Sequence, residues 1–208
     1  MNQPTLLYRF CRWATGTYLR VFHRYRVRVT GQPPPDEGPL LVVSNHASHF
    51  DPPIVASAVR RPLRFMAKAE LFEGPKWFAR LISSLGAFPV RRGDGDMAAY
   101  KASVKLLREG QALVMFPEGT RSMDGEMKPF ADGCARMALA VPGCRILPVR
   151  IRGSFEALGR NRRLPRPHRI EVSLGECLTV ADLPDPPVDK KGLYRALTKL
   201  IHDRVSAL

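Results

Sequence analysis

Stretches rich in apolar residues alternate with amphipathic ones along much of this chain. Leu40 to Val43, Leu63 to Ala67, Ala87 to Val90, Ala112 to Phe116, Arg145 to Arg152 and Arg169 to Leu174 read as strands. Between most of them, helices are predicted over Pro52 to Val59, Gly74 to Leu85, Asp96 to Glu109, Gly133 to Val141 and Leu193 to Val205. Leu193, Leu197, Leu200, Ile201, Val205 and Leu208 mark the apolar stripe of the last. Strands alternating with helices predict an α/β fold, a largely parallel or mixed central sheet flanked by helices.

The chain begins differently. Leu6, Leu7, Phe10, Trp13, Ala14, Tyr18, Val21, Phe22 and Tyr25 recur at helical spacings, interrupted by Arg9, Arg12, Arg20 and Arg24. These arginines exclude a continuous membrane span and the apolar middle of a secretory signal. An N-terminal basic amphipathic helix is predicted, with Gly16 weakening it by about 1 kcal/mol against Ala. Such a helix can lie in a membrane interface with its Arg stems reaching anionic phosphates, or pack on the domain. Gly31 to Pro39 is dense in Gly and Pro, so residues 1–30 read as a membrane-interface segment with a short strand, and 31–208 as one domain.

A chain of 208 residues with 45% hydrophobic content suits one well-cored domain. Its 33 Lys+Arg against 19 Asp+Glu give a formal charge of +14, which calls for a polyanionic partner. Zinc-finger and RNP signatures and an aromatic single-strand platform are missing, so an anionic membrane surface is expected and nucleic acid is not. Cys11, Cys134, Cys144 and Cys177 form no C-x-x-C pair, so they read as ordinary thiols without a structural metal.

Two motifs follow strands. Ser44-Asn45-His46-Ala47-Ser48-His49-Phe50-Asp51-Pro52 combines an imidazole with a carboxylate, and Phe116-Pro117-Glu118-Gly119-Thr120-Arg121-Ser122 adds an acid, a Gly and a cation. On one continuous helix His46 and Asp51 would stand roughly 140° apart, at about 100° per residue, so the segment must bend to join them. Joined, His46 is a candidate general base for a hydroxyl, with Asp51 fixing its tautomer. Asp51 before Pro52 reads equally as a helix N-cap. Ser44 and Ser48 are rival nucleophiles, although neither sits in a Gly-x-Ser-x-Gly elbow. His46, His49 and Asp51 are also three potential metal ligands, without the spacing of the familiar metallo-hydrolase pattern. Arg121 suits a phosphate, and Gly119 permits close backbone approach.

Asn45-His46-x-x-x-x-Asp51 followed by Phe116-Pro117-Glu118-Gly119-Thr120-Arg121 resembles the glycerolipid acyltransferases, specifically the 1-acylglycerol-3-phosphate (lysophosphatidic acid) acyltransferase family. Gly86 to Gly93, Ile146 to Ser154 and the intermediate Met66 to Phe72 extend the resemblance over Leu40 to Ser154. It implies acyl-CoA or acyl carrier protein as donor of a fatty acyl group, and with His46 as base the leading expectation is direct transfer, without a covalent acyl-enzyme, to the sn-2 hydroxyl of lysophosphatidic acid. The product would be phosphatidic acid, made by a peripheral or monotopic enzyme at the cytoplasmic membrane face with no cofactor or metal. His46 and Asp51 would be catalytic, Arg92 and Arg121 would hold the acceptor phosphate, and Glu118 would help position the acceptor. Asn45, Gly119 and Thr120 would join the substrate site by their places in the motifs. Another lysophospholipid, a lyso-aminolipid or glycerol-3-phosphate remains open as acceptor. A protein of this fold that binds anionic membranes without catalysis is the alternative of a different class.

Overall fold

The computed structural model describes residues 5–90 and 97–208. After the N-terminal helix α1 (Leu6–His23) comes a short strand, β1 (Arg26–Val29). Then follow β2 (Leu40–Ser44), α2 (Asp51–Ala58), β3 (Leu63–Lys68), α3 (Glu70–Glu73), α4 (Lys76–Ser84), β4 (Ala87–Val90), α5 (Met97–Arg108) and β5 (Ala112–Met115). The chain closes with α6 (Gly133–Leu139), β6 (Arg145–Arg152), α7 (Ser154–Leu158), β7 (Glu171–Leu174) and α8 (Lys190–Ser206). The seven strands form one sheet in the order β1-β7-β6-β2-β5-β3-β4. Every pairing is parallel except β6 with β7, so β1 and β7 run against the other five.

Burial on both faces explains why β2 is a continuous apolar run. Leu40 and Val42 face a core with Ile54, Val55 and Val59 of the α2 region and Leu19 of α1. Leu41 and Val43 face the opposite core, with Leu107 of α5, Ala135 and Ala138 of α6, and Leu197 and Ile201 of α8. The mixed sheet between two helical layers is the α/β architecture that the alternating pattern predicts.

Local chemistry shifts several boundaries. The helix predicted over Gly74 to Leu85 starts two residues later, at Lys76, because Gly74 is extended and Pro75 precedes the first turn of α4. The short helix α7 follows Gly153, whose φ of 81° makes the turn out of β6. A Cβ at Gly153 would lie 1.9 Å from the Arg169 carbonyl oxygen, so only glycine fits there. The strand expected from Arg169 begins at Glu171.

Gly31 to Pro39 connects β1 to β2 within one sheet. Arg61 ties this connection down, donating to the carbonyls of Pro35 and Gly38 and also to that of Gly110. Gly16 does not interrupt α1, which is continuous from Thr5, whose hydroxyl caps it through Tyr8 N, to Arg24 in the left-handed region.

The apolar positions of α1 serve two sides of the helix rather than one. Tyr8, Gly16, Leu19 and His23 are buried on the side toward α2. Leu6, Phe10, Trp13 and Val21 point away, with Phe10 61% and Trp13 64% exposed. At about 100° per residue these outward residues centre nearly opposite the buried ones. Polar atoms complete the inner contact, with the Tyr8 hydroxyl accepting from Leu63 N and that of Tyr25 bonded to Ser57.

His23 is 1% exposed, its Nδ1 donating to the His168 carbonyl and its Nε2 lying 3.3 Å from the Tyr18 hydroxyl. Burial holds its pKa below the ordinary imidazole value, opposed by the His168 carbonyl and reinforced by the His168 charge. A depressed folded pKa contributes stability that is whole above the unfolded value, about 6.5, and lost as pH falls through the folded value. The melting temperature is expected to fall between about pH 7 and pH 5, and less steeply in His23→Gln. Parallel wild-type and variant melting curves across that range would exclude His23 as a cause.

Candidate active site

Strand adjacency brings the two motifs together. β2 and β5 are parallel neighbours with Val43 opposite Met115, so the loops that follow them leave the sheet side by side. Glu118 then reaches across the sequence, its Oε1 accepting from His46 N at 2.7 Å, while Ser122 N donates to the His46 carbonyl at 2.8 Å. Glu118 Oε2 accepts from Lys128 N, closing its own loop. Burial raises the Glu118 pKa, against the opposing pull of these two N–H groups.

Asp51 shapes the histidine loop from within. Its Oδ2 accepts from His46 Nδ1 at 2.8 Å, Ala47 N at 2.6 Å and Ser48 N at 2.7 Å, and the side chain is fully buried. The N-cap reading of Asp51 is therefore corrected. The residue opens α2 with Pro52 and Pro53 behind it, but the cap is Phe50 and no side chain bonds the first turn. The carboxylate turns back into the loop because three N–H groups converge there. This fold-back also meets the requirement that His46 and Asp51 not share one helix.

With Nδ1–H donated to Asp51, the lone pair of His46 sits on Nε2. The ring stacks on Phe116 at 4.2 Å between centroids and an interplanar angle of 21°. Its side chain keeps 14% of its surface exposed, so the imidazole is held without being sealed off. That is the arrangement of a general base with an orienting carboxylate.

The remaining candidates divide. Asn45 was expected at the substrate, but both ends of its amide are committed to β6, Nδ2 donating to the Ile151 carbonyl and Oδ1 accepting from Ile151 N. It is 4% exposed and anchors the loop instead. Gly119, with φ of 71°, and Thr120 lie exposed on the turn after β5. Arg121 is partly buried in the same turn and close enough for its charge to act on His49. The His49 pKa is lowered by desolvation first and by the Arg121 cation second. Arg92 and Arg91 lie outside the described residues.

Neither rival nucleophile addresses His46. Ser44 Oγ donates to the Asn45 carbonyl, and Ser48 Oγ donates to the Leu158 carbonyl at 2.6 Å while accepting from Phe50 N. Both serines are fully buried. Among the described residues, His46, His49 and Asp51 do not gather into a three-ligand group.

Two further cations lie at this end of the sheet that the sequence does not assign to the site, although Arg150 stands out in the tail of its strand. Arg150 of β6 is partly buried, with Nη1 on Met127 Sδ. Burial lowers its pKa, aided by Arg152 and opposed by Glu118 and Glu126. Its place after the apolar run Ile146 to Val149, within β6, is the signal that marks it. Lys68 stands exposed at the end of β3, and the β3–β5 register carries it to the level of Pro117.

An apolar cleft of about 320 Å³ opens beside the histidine loop. It is lined by Ala14, Thr15, Tyr18 and Leu19 of α1 and by Phe50, Pro53 and Ile54.

A buried carboxylate orienting a partly exposed histidine, with cations nearby, at the strand ends of an α/β sheet is an arrangement suited to proton transfer in a group-transfer or hydrolytic enzyme. Comparison with known proteins makes the class specific. The chain belongs to the acyltransferase family, whose model, described as Acyltransferase, matches residues 26–152. A 1-acyl-sn-glycerol-3-phosphate acyltransferase of Bacillus subtilis is 28% identical over 204 residues, covering 97% of this chain and 96% of that protein. A probable 1-acyl-sn-glycerol-3-phosphate acyltransferase of Mycoplasma genitalium is 35% identical over 65% of this chain and 52% of that protein. The crystal structure of the 1-acyl-sn-glycerophosphate acyltransferase PlsC from Thermotoga maritima shares the fold. Its TM-score is 0.72 at 24% identity, over 97% of this chain and 79% of that one.

Glu118→Ala isolates the bracket between the two loops. It leaves His46 N and Lys128 N without their acceptor, at about 1–3 kcal/mol for each buried N–H left unpaired. The variant is expected to melt several degrees lower and to lose at least about tenfold in kcat with the fold retained by circular dichroism. Unchanged melting and turnover would show that the bracket positions nothing.

Proposed function

We propose that this acyltransferase moves a fatty acyl group from a thioester donor, acyl-CoA or acyl carrier protein, to the sn-2 hydroxyl of lysophosphatidic acid, forming phosphatidic acid. The observation that carries the reading is the His46–Asp51 pair, which leaves the ring lone pair on Nε2 of a side chain that is still partly exposed. His46 Nε2 takes the hydroxyl proton as the oxygen attacks the thioester carbonyl, and Asp51 stabilises the imidazolium that forms. Collapse of the tetrahedral intermediate breaks the C–S bond, and the proton leaves with the thiol. No serine is needed as relay, because Ser44 and Ser48 are committed elsewhere.

Arg121, with Arg92 by its place in the motif, supplies charge for the acceptor phosphate, while Gly119 and Thr120 line the turn beside it. Glu118 acts through the backbone of His46, positioning the base rather than touching the acceptor. The cleft between α1 and α2 offers an apolar path for an acyl chain. The names of the relatives support lysophosphatidic acid as acceptor above the other lysolipids.

No helix among the described residues is long and apolar enough to cross a membrane. The outward stripe of Leu6, Phe10, Trp13 and Val21 supports peripheral attachment to an anionic surface, at the cytoplasmic face where the donors are made.

A donor and acceptor matrix tests the chemistry. His46→Ala is expected to lose about 10²–10⁴-fold in kcat while remaining folded, and Arg121→Ala to raise KM most for phosphorylated acceptors. A folded His46→Ala that transfers acyl groups at the wild-type rate would reject the base. For attachment, Phe10→Glu with Trp13→Glu is expected to abolish cosedimentation with anionic vesicles without changing the melting temperature, since both side chains lie outside the core. Undiminished vesicle binding would remove α1 from the interface.

A further inference from the structure

A second cationic element, outside the acyltransferase motifs, is stitched to the histidine loop. Between Gly159 and Ile170 the chain carries Arg160, Arg162, Arg163, Arg166 and Arg169 and no acid. Arg169 pairs with Glu171. Among the described residues, Arg160, Arg162, Arg163 and Arg166 enter no ion pair. Such a concentration of unpaired like charge is costly to hold together unless an anion offsets it.

Its placement is fixed by hydrogen bonds. Ser48, two residues beyond His46, forms an antiparallel bridge with Gly159 and donates from Oγ to the Leu158 carbonyl. The loop is closed on itself by Arg162 N on the Gly159 carbonyl and Arg166 N on that of Ala157. Arg160 to Arg163 lie one to four residues past Gly159, within roughly 15 Å of it at about 3.3–3.6 Å per extended residue. Arg162 differs from its neighbours. It is partly buried, and its Nη1 is enclosed with no hydrogen-bond partner, while Arg160 and Arg163 are exposed beside it. Because Arg162 is only partly buried, its remaining N–H groups, with the exposed Arg160 and Arg163, can be offered to an anionic ligand.

Acyl transfer brings two anionic substrates to one imidazole. The acceptor phosphate is met by Arg121, from the loop after β5. The donor's acyl thioester ends a flexible arm whose far end is a phosphate in both acyl-CoA and acyl carrier protein, and that end needs cations of its own near His46. We propose that the Gly159–Arg166 loop is the subsite for the phosphorylated carrier arm of the acyl donor, with Arg162 as its anchor. This rests on the acyl-transfer reading above. Ser48 then links the two halves of the reaction, setting the distance between the donor's phosphate and the base.

The test replaces Arg160, Arg162 and Arg163 by Gln in the full chain, with Arg160→Gln/Arg163→Gln as a second variant that spares the enclosed position. KM is measured for acyl-CoA, for acyl carrier protein and for a phosphate-free acyl thioester of N-acetylcysteamine, and separately for lysophosphatidic acid. Binding of free coenzyme A is followed by calorimetry. In the triple variant, KM for both phosphorylated donors is expected to rise about tenfold or more, with weaker coenzyme A binding. KM for the phosphate-free thioester and the acceptor should stay within about twofold. The double variant should show a smaller change of the same kind. Unchanged donor KM and coenzyme A binding would overturn the proposal. So would a rise confined to lysophosphatidic acid, to anionic vesicle binding or to acyl carrier protein, which would assign the charge to acceptor, membrane or an acidic protein surface. Coenzyme A binding that depends on the loop in a protein without transferase activity would reject the catalytic reading while keeping the subsite.

Discussion

Backbone N–H groups accepted by two carboxylates hold His46 in place. Asp51 gathers those of Ala47 and Ser48 as well as the imidazole, and Glu118 takes that of His46 from the neighbouring loop. A loop leaving a parallel strand has no ladder partners for its amides, and unpaired buried donors would let it collapse or open. Placing the acceptors on side chains fixes the loop without a regular element. It also explains why one motif is of little use without the other, since the acid after β5 completes the loop after β2.

Asn45 adds the third constraint by tying the same loop to β6. His46 is thus referenced to three consecutive strands of the sheet, β6, β2 and β5. Such a frame keeps the imidazole in one orientation, as the proposed proton acceptance along one line requires. The stacked Phe116 ring limits rotation in the remaining direction.

Elements with strong periodicity were legible before any coordinates. The buried run of β2, the β5 and β6 strands and the stripe of α8 follow directly from apolar spacing, because each buries its side chains against a neighbouring layer. The pairing of His46 with Asp51 was legible as a requirement that the chain fold back. What remained hidden depends on long-range contact. Nothing local tells that Asn45 spends its amide on Ile151, a strand away, or that Asp51 serves a loop when Asp before Pro so commonly starts a helix. The two sides of α1 were merged into one because helical spacing shows where apolar residues recur, not how many surfaces they meet. The five-residue α7 is too short to carry a period at all.

The two outermost strands carry a further consequence. β1 is exposed along its length and alternates Arg26 and Arg28 with Val27 and Val29, while β4 places Pro89 in its four residues. Free strand borders invite hydrogen bonding to a second molecule, and both devices discourage it, one by like-charge repulsion and one by removing an amide donor. Neighbouring copies can therefore stay separate, and aggregation through sheet extension is resisted at either border.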